Sequence, residues 1–119
     1  MGKINSNQKG KRGERELANL LNKLFNIDTC RRSQQFCGSN GDADVIGIDG
    51  IHSEVKRVES LNIGKAMAQA VSDCRDEDVP VVHHRKNGGD WLTTVRTEDL
   101  PELAQCLFLV IYGESDENE

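Results

Sequence analysis

The sequence predicts an α/β domain, a mixed central β-sheet flanked by helices in the order α-β-β-β-α-β-β-α. Three observations carry this reading. Leu17, Leu20, Leu21 and Leu24 recur at helical spacing near the N-terminus, with Ala18 and Phe25 widening the stripe. Two β-branched runs meet at Asp49-Gly50, a dipeptide with strong hairpin preference. Two further strand-like runs flank Lys86-Asn87-Gly88-Gly89, a turn signal. At 119 residues the chain is long enough for one domain with a real core and too short for two.

Taken in order, residues 1–9 are polar and read as a flexible basic arm, and the leucine spacing predicts a helix over residues 11–26. Glu14 sits at the start of its apolar stripe, where a charge needs a reason. A first-turn acid complementing the helix dipole is one, and it suits Glu16 better. For Glu14 the expectation is that it reaches from the helix into a cleft. Residues 29–36 form a polar candidate strand with Arg31 and Arg32, leading into Cys37-Gly38-Ser39-Asn40-Gly41. A Gly/Ser/Asn loop of this kind lets a phosphodiester approach closely, with backbone N–H groups and Ser39 as donors. Beyond the hairpin, residues 60–75 read as a helix with Ile63, Met67, Ala70, Val71 and Cys74 on one face and Asn62 or Ser60 as cap. Gln69 and Lys65 lie off that stripe, where each either reaches the cleft or faces water. Val79–Arg85 is an apolar strand, residues 90–96 return antiparallel, and Pro101 opens a closing helix from Asp99 or Leu100. Trp91 is expected in the core, and His83 and His84 alternate faces, so at most one meets the cleft.

The hairpin over residues 41–57 holds the informative side chains. Glu54 and Lys56 are two apart and share a strand face, with Ser53 and Val55 on the other. The face of Asp44 depends on the turn. A two-residue turn at Asp49-Gly50 pairs Ile48 with Ile51 and sets Asp44 opposite Val55, on the wrong face. A three-residue loop of Ile48-Asp49-Gly50, with Gly50 as a bulge in the left-handed region, pairs Gly47 with Ile51. Asp44 then lies opposite Glu54, the backbones roughly 5 Å apart. This second register is the expected one, because it gathers Val45, Gly47, Ile51, Ser53 and Val55 on a mostly apolar face. Asp44, Glu54 and Lys56 then share the other face, two carboxylates and a lysine suited to a hard cation.

Net charge is −5, but it is unevenly spread. Residues 1–32 hold eight Lys/Arg against three acids, a balance of +5, whereas the remainder holds seven against seventeen, a balance of −10. Such asymmetry fits a basic face gripping phosphates beside a site whose acids await a cation. A solvated arm is the plainer explanation of the basic run alone. The last six residues carry four acids and read as a disordered tail. The four cysteines, Cys30, Cys37, Cys74 and Cys106, show no C-x-x-C pair and no zinc spacing, as expected of free thiols in a reducing compartment. Neither a membrane span nor a signal peptide is legible, so a cytoplasmic protein is expected.

These pieces together resemble the PD-(D/E)xK nuclease superfamily and, within it, the archaeal-type Holliday junction resolvases and their phage-borne relatives. The blocks that carry the resemblance are Lys9-Gly10-Lys11-Arg12-Gly13-Glu14-Arg15-Glu16-Leu17, Asp42-Ala43-Asp44-Val45 and Ser53-Glu54-Val55-Lys56, within roughly residues 9 to 96. E-x-K alone is weak; with the helix acid and an aspartate ten residues before the glutamate it is much stronger. The Asp–Glu hairpin is shorter than in archaeal members, and no proline precedes the aspartate. The resemblance implies a restriction-endonuclease-like core over residues 1–112, with 113–119 as the acidic tail. It implies a catalytic set of Glu14, Asp44, Glu54 and Lys56, with Asp44, Glu54 and the Val55 carbonyl holding Mg²⁺, for which Mn²⁺ can substitute. Lys11, Arg12, Arg15, Arg31, Arg32, Ser39 and Arg57 would contact DNA, and Gln69 would be accessory. The expected activity is metal-dependent resolution of four-way DNA junctions by paired symmetric nicks, carried out by a homodimer. A general DNA nickase of the same superfamily and a non-cutting DNA-binding module are the alternatives.

Overall fold

The computed structural model describes residues 6–33 and 43–113, with side chains from Gly10 onward. The helix α1 (Ser6–Phe25) is followed by β1 (Arg31–Arg32), β2 (Val45–Ile46) and β3 (Ile51–Arg57). Next come α2 (Ile63–Asp73), β4 (Val79–Arg85) and β5 (Leu92–Val95). A 3₁₀ turn (Thr97–Asp99) leads into α3 (Leu100–Phe108), and a π turn (Leu109–Gly113) follows. The expected order of helices and strands is the observed one.

The strands form one mixed five-stranded sheet in the order β1-β2-β3-β4-β5. Its neighbours are antiparallel except β3 and β4, which run parallel with Val55 beside His83. The α2 crossover between β3 and β4 is what a parallel pair requires. Because alternate residues point to opposite faces, the register assigns each helix a side. Val55 and Val45 pack with Leu17, Ala18 and Cys30 under α1. Val82, one residue from His83, packs with Ala66 and Ala70 under α2. The sheet is therefore covered by α1 on one face and α2 on the other. Leu17, Val79, Val81 and Val82 are fully buried, each contributing roughly 1.5–3 kcal/mol.

Local chemistry explains the boundaries. α1 begins before the expected start at Lys11, so residues 6–9 belong to the helix and not to a flexible arm. No proline interrupts that segment, and Gly10 and Gly13 cost the helix only about 1 kcal/mol each. α1 ends at Asn26, whose φ of 58° is left-handed, while Ile27 N–H bonds to Asn22 O at 3.0 Å, a Schellman closure. Asn22 then clamps the next strand: its amide donates to Cys30 O at 3.0 Å and accepts from Cys30 N–H at 2.9 Å. Asn62 caps α2, accepting from Lys65 N–H at 3.0 Å. Gly113, expected in the acidic tail, closes the π turn instead. Residues 1–5, the loop 34–42 with Ser39, and the tail 114–119 lie outside the described residues.

α3 and the turn after it bury none of their residues, and Phe108, Leu109, Ile111 and Tyr112 are exposed. Trp91, expected in the core, is only partly buried, packed against the Leu17 cluster with the Arg85 guanidinium 5.9 Å above its ring. No helix among the described residues is long and apolar enough to cross a membrane.

Candidate active site

The hairpin register decides whether the acids meet. Val45 lies opposite Ser53, so continuing that register sets Asp44 opposite Glu54 as expected, although Asp44 N–H bonds to Ser53 O at 2.9 Å, one residue off a regular pair. The device that sets this register differs from the expected one. The turn closes through Ile51 N–H to Ile48 O at 3.3 Å, with Gly50 at φ 86°, which is the two-residue turn. The extra residue sits one step earlier: Ile46 and Gly47 together face His52, a bulge on the first strand. Gly47 has φ 127°, and a Cβ there would fall 2.3 Å from Thr29 O, so only glycine fits. Thr29 Oγ1 also donates to Gly47 O at 2.9 Å, pinning the bulge.

The two carboxylates are coupled. Asp44 Oδ2 accepts from Val55 N–H at 2.9 Å, and the Asp44 and Glu54 side chains hydrogen-bond to each other. Burial and then the Glu54 charge push Asp44 up to about 7, outweighing the lowering effect of the Val55 bond. Burial also acts to raise Glu54, but bonds from His52 and Asp44, aided by the Lys56 charge, hold it below its usual value. Of the pair, Asp44 is therefore the group that keeps a proton to higher pH, and Glu54 the one that accepts from it. A strand residue directs its N–H and C=O toward the same neighbour, so the Val55 carbonyl opens on the side where Asp44 lies.

Hard oxygen donors are what Mg²⁺ takes, through one or two carboxylates with water and substrate phosphate completing the shell. Two carboxylates held against each other carry two negative charges once the proton between them leaves, so the donors present fit a divalent ion. No group of three or more His, Cys, Asp or Glu side chains is arranged to hold a metal ion among the described residues. The donors here are two side chains and a backbone oxygen.

Glu14 lies close enough that its charge helps raise Asp44. Its Oε1 accepts from Arg32 Nε at 3.0 Å, which ties α1 to β1 beside the acids. Gly13 allows the approach: its would-be Cβ lies 3.2 Å from Arg57 Cβ. Glu16 does not complement the helix dipole, because α1 starts at Ser6 and leaves Glu16 in the helix middle. It accepts from Arg85 at 3.1 Å and lies 3.9 Å from Arg57. Of the basic residues expected on DNA, Lys11, Arg12, Arg15 and Arg31 are exposed. Arg32 and Arg57 are largely covered and engaged by Glu14 and Glu16. Lys56 is partly buried on the Glu54 face, and Gln69 is exposed on α2 beside buried Ala70.

Two features escape a reading of the sequence. His52 Nε2 lies 2.7 Å from Glu54 Oε2, both side chains almost wholly buried. Its position two residues before Glu54 is the signal that could have found it. On the opposite face His83 links Ser53 Oγ at 3.2 Å to Thr93 Oγ1 at 2.8 Å. His84 bonds Thr94 at 2.9 Å, so both histidines serve the sheet. Cys30, Cys74 and Cys106 are free thiols. No family model, curated protein or solved structure matches the chain.

Proposed function

We propose that this protein is a metal-dependent DNA endonuclease of the PD-(D/E)xK type, acting on four-way junctions. The observation that supports it most is the meeting of Asp44 and Glu54 across the hairpin, with the Val55 backbone between them and Lys56 on the Glu54 face. A divalent cation bound there by Asp44, Glu54 and the Val55 carbonyl would supply charge stabilisation to the scissile phosphate and a more acidic water. Lys56 orients the attacking water and offsets charge on the phosphate. Glu14, held by Arg32, orients the same water from the helix side. The exposed Lys11, Arg12, Arg15 and Arg31 bind flanking phosphates. Junction preference rests on the resemblance, as does pairing of two copies to nick opposite strands. The exposed apolar residues of α3 and its π turn are a surface of the kind a second copy covers.

The test is incubation of purified protein with end-labelled junction, duplex and single-stranded DNA, with Mg²⁺ and with EDTA. Paired symmetric nicks on the junction alone are expected. Equal cutting of all substrates favours a general nickase, and binding without cutting favours a non-cutting module. Asp44→Asn and Lys56→Ala should each abolish Mg²⁺-dependent cleavage while leaving DNA binding largely intact; undiminished cutting by either overturns the assignment.

A further inference from the structure

The buried partner of Glu54 has no role in that reading. His52 and Glu54 project from the same face of β3, two residues apart, with His52 4% and Glu54 5% exposed at the side chain. Their contact, 2.7 Å between Nε2 and Oε2, is at the short end for a charge-assisted hydrogen bond. With a carboxylate oxygen as acceptor, the contact runs from Nε2–H of His52 to Oε2 of Glu54. Water has little access to either group, so the imidazole supplies the hydrogen bond that solvent would otherwise give. The same carboxylate meets the Asp44 side chain from the β2 side. Glu54 is thereby held between His52 on its own strand and Asp44 on the neighbouring one.

We infer that His52 is a positioning residue: it fixes the Glu54 carboxylate inside the sheet, turned toward Asp44, so that the two-carboxylate cation site is formed before the cation arrives. The inference rests on the proposed metal site and adds a residue to it. An isolated buried carboxylate rotates or takes up a proton, and either change disperses the donor set. Outer partners of metal-ligating groups typically alter affinity 10- to 100-fold when removed. His52 meets the conditions for such a partner, being buried, bonded to one ligand oxygen and set on the same rigid strand.

The experiment is calorimetric titration of the intact protein with Mg²⁺ alone, beside thermal unfolding of the cation-free protein. The variants are His52→Leu, His52→Gln and His52→Asn. His52→Leu removes the donor, His52→Gln keeps an N–H donor of similar reach, and His52→Asn is polar but too short. Mg²⁺ affinity is expected to fall roughly 10- to 100-fold in His52→Leu and His52→Asn and to recover to within a few-fold of wild type in His52→Gln. A merely structural role would move the unfolding temperature without this ordering of affinities. Should His52→Leu fail to fold, the Gln-against-Asn comparison decides. Wild-type affinity in His52→Leu or His52→Asn overturns the inference and leaves the metal site standing, as does equal weakness of Gln and Asn. Absence of Mg²⁺ binding by the wild type overturns the metal site itself, and the role of His52 with it.

Discussion

Asp44 and Glu54 face each other across the hairpin in a place that water only partly reaches, and burial, then the Glu54 charge, makes an ionised Asp44 costly to the cation-free fold. Asn at position 44 would keep the acceptor for Val55 N–H and give Glu54 a permanent donor. Asp44→Asn is therefore expected to stabilise the cation-free protein by roughly 1–2 kcal/mol near pH 8, read by urea unfolding, while abolishing cleavage. A variant less stable than wild type would contradict the like-charge cost. His83 makes the opposite kind of contribution. Burial, and then neighbouring His84, lowers it from 6.5 to about 4. Between those values the unfolded chain binds a proton that the folded chain refuses, so the His83 contribution to stability falls as pH falls from about 6.5 to about 4, against an opposing contribution from Asp44. The loss is on the order of 3 kcal/mol at 1.36 kcal/mol per pH unit. His83→Gln should flatten that part of the profile; parallel wild-type and variant profiles would show that His83 does not cause it. Asp44, Glu54 and Lys56 were legible because strand parity is a counting rule. The His52 contact was only half legible: parity puts His52 on the Glu54 face, but not whether its ring meets solvent or the carboxylate 2.7 Å away.

At the scale of elements, the bulge on β2 sets the register that the acids need. Gly47 combines φ 127° with a carbonyl 2.3 Å from any added Cβ, whereas Gly88 has φ 76° and open space around it. Gly88→Ala should cost about 1 kcal/mol for backbone conformation alone. Gly47→Ala should cost more than about 3 kcal/mol, because the hairpin must also move away from Thr29. Thermal unfolding of the two variants separates these terms, and equal losses would mean that the Thr29 contact does not hold the bulge. The extent of β4 was readable from its apolar run, and the existence of α2 from periodicity and the cap residue Asn62, although the expected 60–75 is longer than the observed Ile63–Asp73. The bulge position was not: the sequence offers glycine at 47 and at 50, and contact with Thr29, distant along the chain, selects between them.

Across the whole molecule the charge separates with the architecture. The balance of +5 over residues 1–32 includes all of α1, and the acids Glu14 and Glu16 of that helix are matched by Arg32, Arg57 and Arg85. Eight elements in the right order could be read from the sequence, as could the basic N-terminal segment. Which arginines are spent internally could not, since that depends on α1 crossing β3 at Gly13. The exposed Lys11, Arg12 and Arg15 of α1, with Arg31 of β1, are therefore the described cations of the proposed set left to meet phosphate, and Arg32 and Arg57 should matter less. If so, log affinity for junction DNA, measured by anisotropy with the non-cleaving Asp44→Asn protein, falls linearly with log salt concentration. Replacing Lys11, Arg12 and Arg15 together by alanine should reduce the magnitude of that slope by about 2 to 3, near 0.9 for each phosphate that is no longer neutralised. Arg57→Ala should leave the slope almost unchanged, because its charge is already opposed by Glu16. A flat salt response in the parent protein would remove the phosphate-binding role of α1, and an unchanged slope in the triple variant would move that role elsewhere on the surface.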